Sequence, residues 1–144
     1  MIDLQCTYKP QTSDLRRLGT RFVLPATFEQ ASYYARGPWD CYVDRYDAAF
    51  LGRYQTTVTD MFELTARPQT CGNRIDLREL TLADSTNGLQ LHVKAQGQAA
   101  FQLLHYDDSK MSAFKHCWDI APGNVYLHLD YMQKGLGNLL CKRP

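Results

Sequence analysis

RIDLRELTLADSTNGLQLHVKA, residues 74–95, is the stretch that indicates the fold most clearly. Its second half alternates apolar with polar residues, the period of two that is typical of a half-buried β-strand. The apolar positions are Leu89, Leu91, Val93 and Ala95. Asn87-Gly88 stands between this run and residues 74–83, and Asn-Gly is the strongest short signal for a β-hairpin turn. The stretch therefore predicts two antiparallel strands joined by a tight turn.

The same alternation extends over most of the chain. It is clearest in residues 2–8 and 125–131. Weaker strands are predicted over about 19–25, 29–36, 52–60, 74–82 and 99–106. Turn residues stand where these strands need to end, at Gly37-Pro38 and again at Pro122-Gly123-Asn124 before the last strand. The sequence thus predicts eight or so strands, mostly half-buried and antiparallel.

Two features interrupt this alternation. Between Leu77 and Leu80 the apolar phase slips by one residue, which predicts a β-bulge. Further along, Asp107 or Asp108 can cap a short helix. One face of this helix would carry, at i, i+3 and i+4, Met111, Phe114 and Lys115. Strands with a single short helix predict an all-β fold, an antiparallel β-sandwich.

Length and composition predict one globular domain over residues 1–144. Hydrophobic residues make up 44% and charged residues 22%, with 16 Lys and Arg against 15 Asp and Glu. A net charge of +1 offers no basic surface for nucleic acid, and no apolar run is long enough to cross a membrane. No signal peptide is visible, so we expect a cytoplasmic protein, or a periplasmic one if an export signal lies upstream.

The cysteines favour a reducing compartment. They form an odd set without a Cys-x-x-Cys pair, which argues against a disulfide framework and against a zinc site. The set is Cys6, Cys41, Cys71, Cys117 and Cys141. His116 precedes Cys117, but neighbouring side chains point apart in a strand or a helix, so no Cys/His nucleophile is expected. No cofactor is expected in this chain.

The loop from Arg36 to Arg45 is the densest chemical feature, with two arginines, two carboxylates and two aromatic rings. Trp39, Asp40 and Arg36 are the residue types that bind sugars, the aromatic face against C–H groups and the polar groups on hydroxyls. In the alternative interpretation, Asp44 and Arg45 form local ion pairs and Trp39 packs on a neighbouring domain. The residues alone favour this structural interpretation.

Two further clusters have mainly structural interpretations. Residues 67–74, which end at Arg74, combine Asn and Gly as a tight turn does. His105, His116 and Trp118 surround the predicted helix, where single histidines are more often hydrogen-bonded structural residues than ligands. No metal site is therefore predicted.

Paired carboxylates do not assemble into a predicted active site. A glycosidase needs two carboxyl groups facing each other across the scissile bond. Asp107 and Asp108 are typical of helix capping, whereas Asp40 and Asp44 could converge but show no sign of burial in the sequence. The sequence contains no Ser/His/Asp order, P-loop or dinucleotide-binding glycine motif. No catalytic residues are predicted.

Four ordered segments carry recognisable motifs. RGPWDCYVDR at residues 36–45 resembles the motif GRGPxENYxDR, and RPQTCGNRIDLR at residues 67–78 resembles RPQENGNRTDVR. Similar correspondences cover residues 104–108, His116 and residues 127–137. These motifs belong to the C-terminal domain of bacterial β-galactosidases, glycoside hydrolase family 2, which this chain resembles over nearly its whole length.

The resemblance implies a galactose-mutarotase-like "supersandwich", of which this chain would be roughly the C-terminal half of the family's C-terminal domain. In that family the catalytic glutamates lie on a TIM barrel, which has no counterpart in this sequence. The C-terminal domain packs on the barrel and contributes a loop to the rim of the active site. The resemblance therefore implies that this chain alone is inactive.

Several positions depart from the family pattern. Gly137 is not followed by the Asp-Asp-Ser-Trp whose tryptophan stacks on substrate. The two Glu-Asn pairs of the motifs are replaced by Asp40-Cys41 and Thr70-Cys71, and Trp118 takes the place of a histidine. Polar positions that have changed on a retained framework are typical of a scaffold whose site has weakened, and a divergent family member or a gene fragment would show the same pattern.

Three functions remain open from the sequence. The leading one is a non-catalytic domain of a β-galactosidase, with the catalytic barrel as its partner. The second is a free-standing carbohydrate-binding module that binds galactosides. The third, less favoured, is a mutarotase-like enzyme that uses His105 or His116 with Asp40 as acid and base. Self-association through open sheet edges is a further expected interaction, since a strand is predicted to begin at residue 2 and residues 138–144 have no evident partner.

One observation separates these functions. A packing domain exposes a large apolar patch when it is alone, whereas a binding module does not. The candidate carbohydrate or interface residues are Arg36, Trp39, Asp40, Asp44, Arg45, Arg74, His105, His116 and Trp118.

Overall fold

Residues 16–96 and 99–135 are described by a computed structural model, and they form two antiparallel sheets of four strands each. The strands are β1 (Arg17–Leu24), β2 (Gln30–Gly37), β3 (Phe50–Thr57), β4 (Asn73–Arg74), β5 (Glu79–Asp84), β6 (Leu89–Lys94), β7 (Ala100–Leu104) and β8 (Val125–Gln133). Sheet A has the order β1-β8-β7-β4, and sheet B has the order β3-β2-β5-β6. The predicted all-β sandwich is confirmed. The strand predicted over residues 2–8 and the segment 138–144 lie outside the described residues.

The core lies between the two sheets and follows the alternation seen in the sequence. In β2 the inward residues are Ala31, Tyr33 and Ala35, and they alternate with half-buried neighbours. The neighbouring strand β5 and the facing strands β7 and β8 complete the core with apolar side chains: Leu80, Leu82, Phe101, Leu103, Val125 and Leu127. Truncating one of these leucines to alanine would cost roughly 2–5 kcal/mol.

Strand β7 is buried on both faces, unlike a strand at the surface of a simple sandwich. Phe101 and Leu103 face the core, so Gln102 and Leu104 face the opposite side of sheet A. Leu104 packs there with Cys71 from the β3–β4 loop and with other loop residues. Loops therefore cover the outer face of sheet A, and these loops carry the candidate site.

The predicted bulge between Leu77 and Leu80 is wrong. The chain leaves sheet A after β4 and enters sheet B at β5. The Leu77 N–H bonds the Ala99 carbonyl beside sheet A, while the Arg78 N–H bonds the Tyr34 carbonyl of sheet B. The slip in apolar phase marks this crossing. Residues before it lie beside sheet A and residues after it belong to sheet B, so the side of the chain that is buried changes between them. A register irregularity does occur elsewhere, in β1 between residues 18 and 19.

The predicted short helix is a 3-10 helix, Asp108–Ala113, and Asp107 caps it by accepting the Ser109 N–H at 3.2 Å. Met111 lies in this helix and is buried, but Phe114 and Lys115 lie beyond its end, so the predicted shared face does not form. Three further 3-10 turns are Tyr46–Ala48, Thr59–Met61 and Cys117–Asp119. Residues at i and i+3 share a face in a 3-10 helix as well as in an α-helix. The sequence pattern therefore could not distinguish the two kinds of helix.

The predicted hairpin is confirmed, with Asp84 paired to Leu89 across the turn between β5 and β6. Asp84 organises the turn, since its carboxylate accepts the backbone N–H groups of Thr86 and Asn87 at 2.9 and 3.0 Å. Gly88 closes it with a φ of +67°, and a side chain added there would meet no neighbouring atom.

Gly72→Ala and Gly88→Ala form a matched pair, since both glycines have positive φ. A methyl group on Gly72 would lie 2.9 Å from the Met61 carbonyl oxygen, whereas the same group on Gly88 meets nothing. We expect Gly88→Ala to lower the free energy of unfolding by about 1 kcal/mol and Gly72→Ala by about 3 kcal/mol. Urea denaturation measures both, and equal losses would contradict this account of Gly72.

Candidate functional site

The β2–β3 loop, residues 38–49, is held against the short strand β4. The Cys41 N–H donates to the Asn73 carbonyl at 2.9 Å, and the Asn73 side-chain amide donates back to the Cys41 carbonyl at 2.7 Å. The Arg74 guanidinium donates to the Pro38 carbonyl at 2.5 Å and to the Tyr33 hydroxyl at 3.4 Å. Asn73 and Arg74 are both buried, so these bonds satisfy donor groups that have lost water, while the Asn73 Oδ1 has no hydrogen-bond partner among the described residues.

Arg36, at the end of β2, is also committed to internal contacts. Its Nε donates to the Asp76 carboxylate at 2.7 Å, and its Nη1 donates to the Ala49 carbonyl at 2.9 Å. The Nη2 donates to the Tyr46 hydroxyl, and the guanidinium lies 3.5 Å from the centre of the Tyr46 ring. Burial lowers the pKa of Arg36, but the bonds to Asp76 and Tyr46 raise it by more, so the guanidinium stays charged.

Asp40 is the buried acid of the loop, with 4% of its surface exposed. Its Oδ2 accepts the Gly72 N–H at 3.1 Å and the Tyr42 hydroxyl at 3.3 Å. Its Oδ1 has no hydrogen-bond partner among the described residues. The backbone N–H of Asp40 donates to the Glu63 carboxylate at 2.7 Å, which joins the β2–β3 loop to the β3–β4 loop, residues 58–72.

The surroundings of Asp40 favour its neutral form. Burial, helped by the negative charge of Glu63, raises the pKa of Asp40 to about 6. The Gly72 N–H and the positive charges of Arg74 and Arg45 oppose this shift without cancelling it. A carboxyl group in such surroundings is a candidate acid or base, but it lies beneath the surface and has little access to a ligand.

The other predicted residues of this loop lie at its surface. Trp39 has 60% of its surface exposed, and Arg45 is exposed as well. Asp44 is half-buried against Gly135, where a methyl group in place of the glycine hydrogen would lie only 1.9 Å from its carboxyl carbon. The structure therefore places Trp39 and Arg45 at the surface of the loop, while Asp40 lies beneath it.

His105 joins three segments of the fold. Its Nδ1 lies 3.0 Å from the Gly123 carbonyl oxygen, and its Nε2 lies 2.5 Å from the Glu29 carboxylate. Both partners are oxygen atoms that accept hydrogen bonds, so each ring nitrogen of His105 faces an acceptor. Burial raises the pKa of Glu29, but bonds from His105 and Thr59 lower it by more. His105 thus connects these segments and has a structural role.

His116 and Trp118 belong to the β7–β8 loop, residues 105–124. Their rings stack with centroids 4.6 Å apart and planes within 5° of parallel. The Nδ1 of His116 lies 3.1 Å from the Asp119 carboxylate, and Trp118 remains 77% exposed. The neighbouring Cys117 thiol donates to the Thr65 carbonyl at 3.2 Å and so joins this loop to the β3–β4 loop.

The described cysteines, and the sequence neighbours Asp107 and Asp108, make contacts that stabilise the fold. Cys41, Cys71 and Cys117 are buried free thiols, and burial raises the pKa of Cys71 to about 11, far from a reactive thiolate. Cys6 and Cys141 lie outside the described residues. Asp108 is bonded to Arg17 at 3.1 Å, while its neighbour Asp107 caps the 3-10 helix.

The sequence analysis missed several residues that bond to the predicted site residues from far away in the sequence. Glu63, Asn73 and Asp76 supply the partners described above, yet none of them stood out as a site residue. Asn73 lies within the second motif and could have been selected from it, whereas no sequence signal marks Glu63.

Within residues 16–96 and 99–135, no three His, Cys, Asp or Glu side chains are arranged to hold a metal ion. Over the same part of the chain, no helix has the length and apolar character needed to cross a membrane.

Comparison with known proteins gives a consistent family assignment. A family model described as "Beta galactosidase small chain" matches residues 1–144. The β-galactosidase of Staphylococcus xylosus is 32% identical over 141 residues, which are 96% of this chain and 13% of that relative. The β-galactosidase of Streptococcus thermophilus is 38% identical over 122 residues, 83% of this chain and 12% of the relative. The chain therefore spans about an eighth of the length of these relatives.

The raised pKa of Asp40 predicts how stability changes with pH. The folded state holds this proton more tightly than the unfolded state does, so the stabilising contribution is full below about pH 4 and is lost as pH rises through about 6. Asp40→Asn keeps an acceptor for Gly72 and removes the charge. We expect the variant to be more stable than the parent at pH 7, by about 2–3 kcal/mol, with little difference at pH 4.

Urea denaturation across this pH range measures the effect, with Asp47→Asn as the control because Asp47 is an exposed acid of the same loop. A destabilised Asp40→Asn at pH 7 would show that the carboxylate form is needed for the fold.

Proposed function

Because the chain belongs to the β-galactosidase small-chain family, we propose that it is a non-catalytic β-sandwich domain of a β-galactosidase. In this proposal it packs on the catalytic barrel and supports the rim of the active site. It corresponds to part of the enzyme's C-terminal domain, in agreement with its span of 12–13% of the relatives' length.

The observation that carries the proposal is the use made of the motif residues. Arg36 and Arg74 hold backbone carbonyls and neighbouring side chains, and Asp40 accepts a backbone N–H from beneath the surface. Side chains whose hydrogen bonds are made mostly within their own fold, from beneath the surface, are poorly placed to bind and turn over a substrate. The motif therefore supports an architectural role better than a catalytic one.

The second candidate, a carbohydrate-binding module, is favoured by one observation, the exposed indole of Trp39 next to the Gly37-Pro38 corner. Sugar sites combine such a ring with polar groups that reach the same ligand. Here Arg36 and Asp40 are bonded within the fold, and Arg45 is the exposed polar candidate of this loop, which argues for the scaffold role. A mutarotase-like reaction is less favoured still, since Asp40 is buried and His105 is bonded on both ring nitrogens.

We expect the purified chain to leave a nitrophenyl β-galactoside unhydrolysed, with the Staphylococcus xylosus enzyme as the positive control. We also expect galactose and lactose to cause no localised shifts in its ¹H–¹⁵N spectrum. Turnover that survives purification and disappears in Asp40→Asn would contradict the scaffold proposal. Shifts confined to the Trp39 indole and its loop, absent in Trp39→Ser, would favour the binding module.

A further inference from the structure

The chain has two tryptophans, and the structure leaves both at the surface. Trp39 is 60% exposed and Trp118 is 77% exposed, although tryptophan is highly buried on average. Leu64 is also 77% exposed. Each of these side chains lies on a loop that covers sheet A rather than on a strand.

These three loops are bonded to each other, so the backbone segments that carry the exposed side chains lie next to one another. Trp39 precedes Asp40, whose N–H is bonded to Glu63, the residue before Leu64. Thr65, the residue after Leu64, is bonded to Cys117, the residue before Trp118. We call the surface around Trp39, Leu64 and Trp118 the loop surface.

The backbone around the exposed rings is fixed before any partner binds. The Pro38 carbonyl is held by Arg74, and Asp40 is bonded on the other side of Trp39. The Trp118 ring is stacked on His116, which is itself bonded to Asp119. Rigid aromatic side chains that lose little freedom on binding are typical anchors of protein interfaces.

The chemistry of the loop surface fits a protein partner better than a sugar. A sugar site presents hydrogen-bonding groups beside its aromatic ring. Here Arg36 and Asp40, the polar residues nearest to Trp39 in sequence, are bonded internally, while the apolar Leu64 side chain is exposed. An apolar centre built from tryptophan and leucine gains most from burial against another apolar protein surface.

We propose that the loop surface is where this chain docks on the remainder of the β-galactosidase polypeptide, with Trp39, Leu64 and Trp118 at the centre of the contact. This inference rests on the proposed function and adds to it the surface that makes the contact. The relatives carry about seven times as much polypeptide outside the matched segment as within it, and that polypeptide is the occupant we assign.

Hydroxyl-radical footprinting of a hybrid enzyme tests the assignment. In the hybrid, this chain replaces the matched segment of the Staphylococcus xylosus β-galactosidase. Mass spectrometry then compares oxidation of Trp39 and Trp118 in the hybrid with oxidation in the isolated chain. We expect both rates to fall by about tenfold, as for residues at the centre of an interface, with Leu89 of strand β6 as the control for overall reactivity.

The double variant Trp39→Ser with Trp118→Ser provides a second measurement, and Leu89→Ser is its matched control. We expect the double variant to weaken or abolish galactosidase activity in the hybrid and to leave the urea midpoint of the isolated chain nearly unchanged, because both rings are exposed there. Unchanged hybrid activity would overturn the proposed surface.

The outcomes separate the two proposals. An active hybrid whose tryptophans oxidise as fast as in the isolated chain overturns the docking surface and leaves the proposed function standing. An inactive hybrid in which both tryptophans are still protected supports the docking surface and counts against the proposed support of the active site. If protection of the tryptophans from oxidation in the isolated chain grows with its concentration, the surface binds a second copy. If added galactose or lactose protects them, the surface binds a sugar. Either result overturns the proposal.

Discussion

The burial of Asn73 and Arg74 is the constraint on which the loops of this domain depend. A buried amide or guanidinium destabilises a fold strongly unless it is hydrogen-bonded. Strand β4 contributes only these two residues to sheet A, so its backbone alone gives little stability. Their side chains and backbone instead bind the Pro38 and Cys41 peptide groups. Burial of the polar pair therefore requires the β2–β3 loop to lie where it does.

Asp40 shows the electrostatic consequence of this arrangement. Its carboxyl group lies near the positive charge of Arg74, yet burial and the negative charge of Glu63 outweigh that attraction. The fold therefore places an acid where its charge is unfavourable, in exchange for a bond to the Gly72 N–H at a left-handed turn. This arrangement is consistent with the motif serving the geometry of the loops.

Local sequence patterns predicted two kinds of element: those whose pairing partner is close in sequence, and those whose apolar residues repeat regularly. The hairpin around Asn87-Gly88 needed only neighbouring residues, as did the existence of β8. The predicted alternation of β8 breaks near its end, where Asp130 is buried and Tyr131 is exposed. The segment between Leu77 and Leu80 misled, because a bulge and a crossing between sheets shift the apolar phase in the same way. The role of Glu63 depends on a contact 23 residues away at Asp40, and no local pattern encodes it. For the candidate site, residue types were therefore predictable, while their inward or outward orientation was not.

That orientation decides how the family motif should be interpreted here. In the sequence, Arg36, Trp39 and Asp40 form a set that could bind a sugar, but the set works only if all three reach the same ligand. The fold turns the arginine and the aspartate inward and leaves the indole outside. A unit that packs against a larger protein has two requirements. It needs stabilising contacts within the domain and an apolar surface that faces outward. One short loop meets both, since the bonds that bury its polar groups also hold the backbone on either side of Trp39.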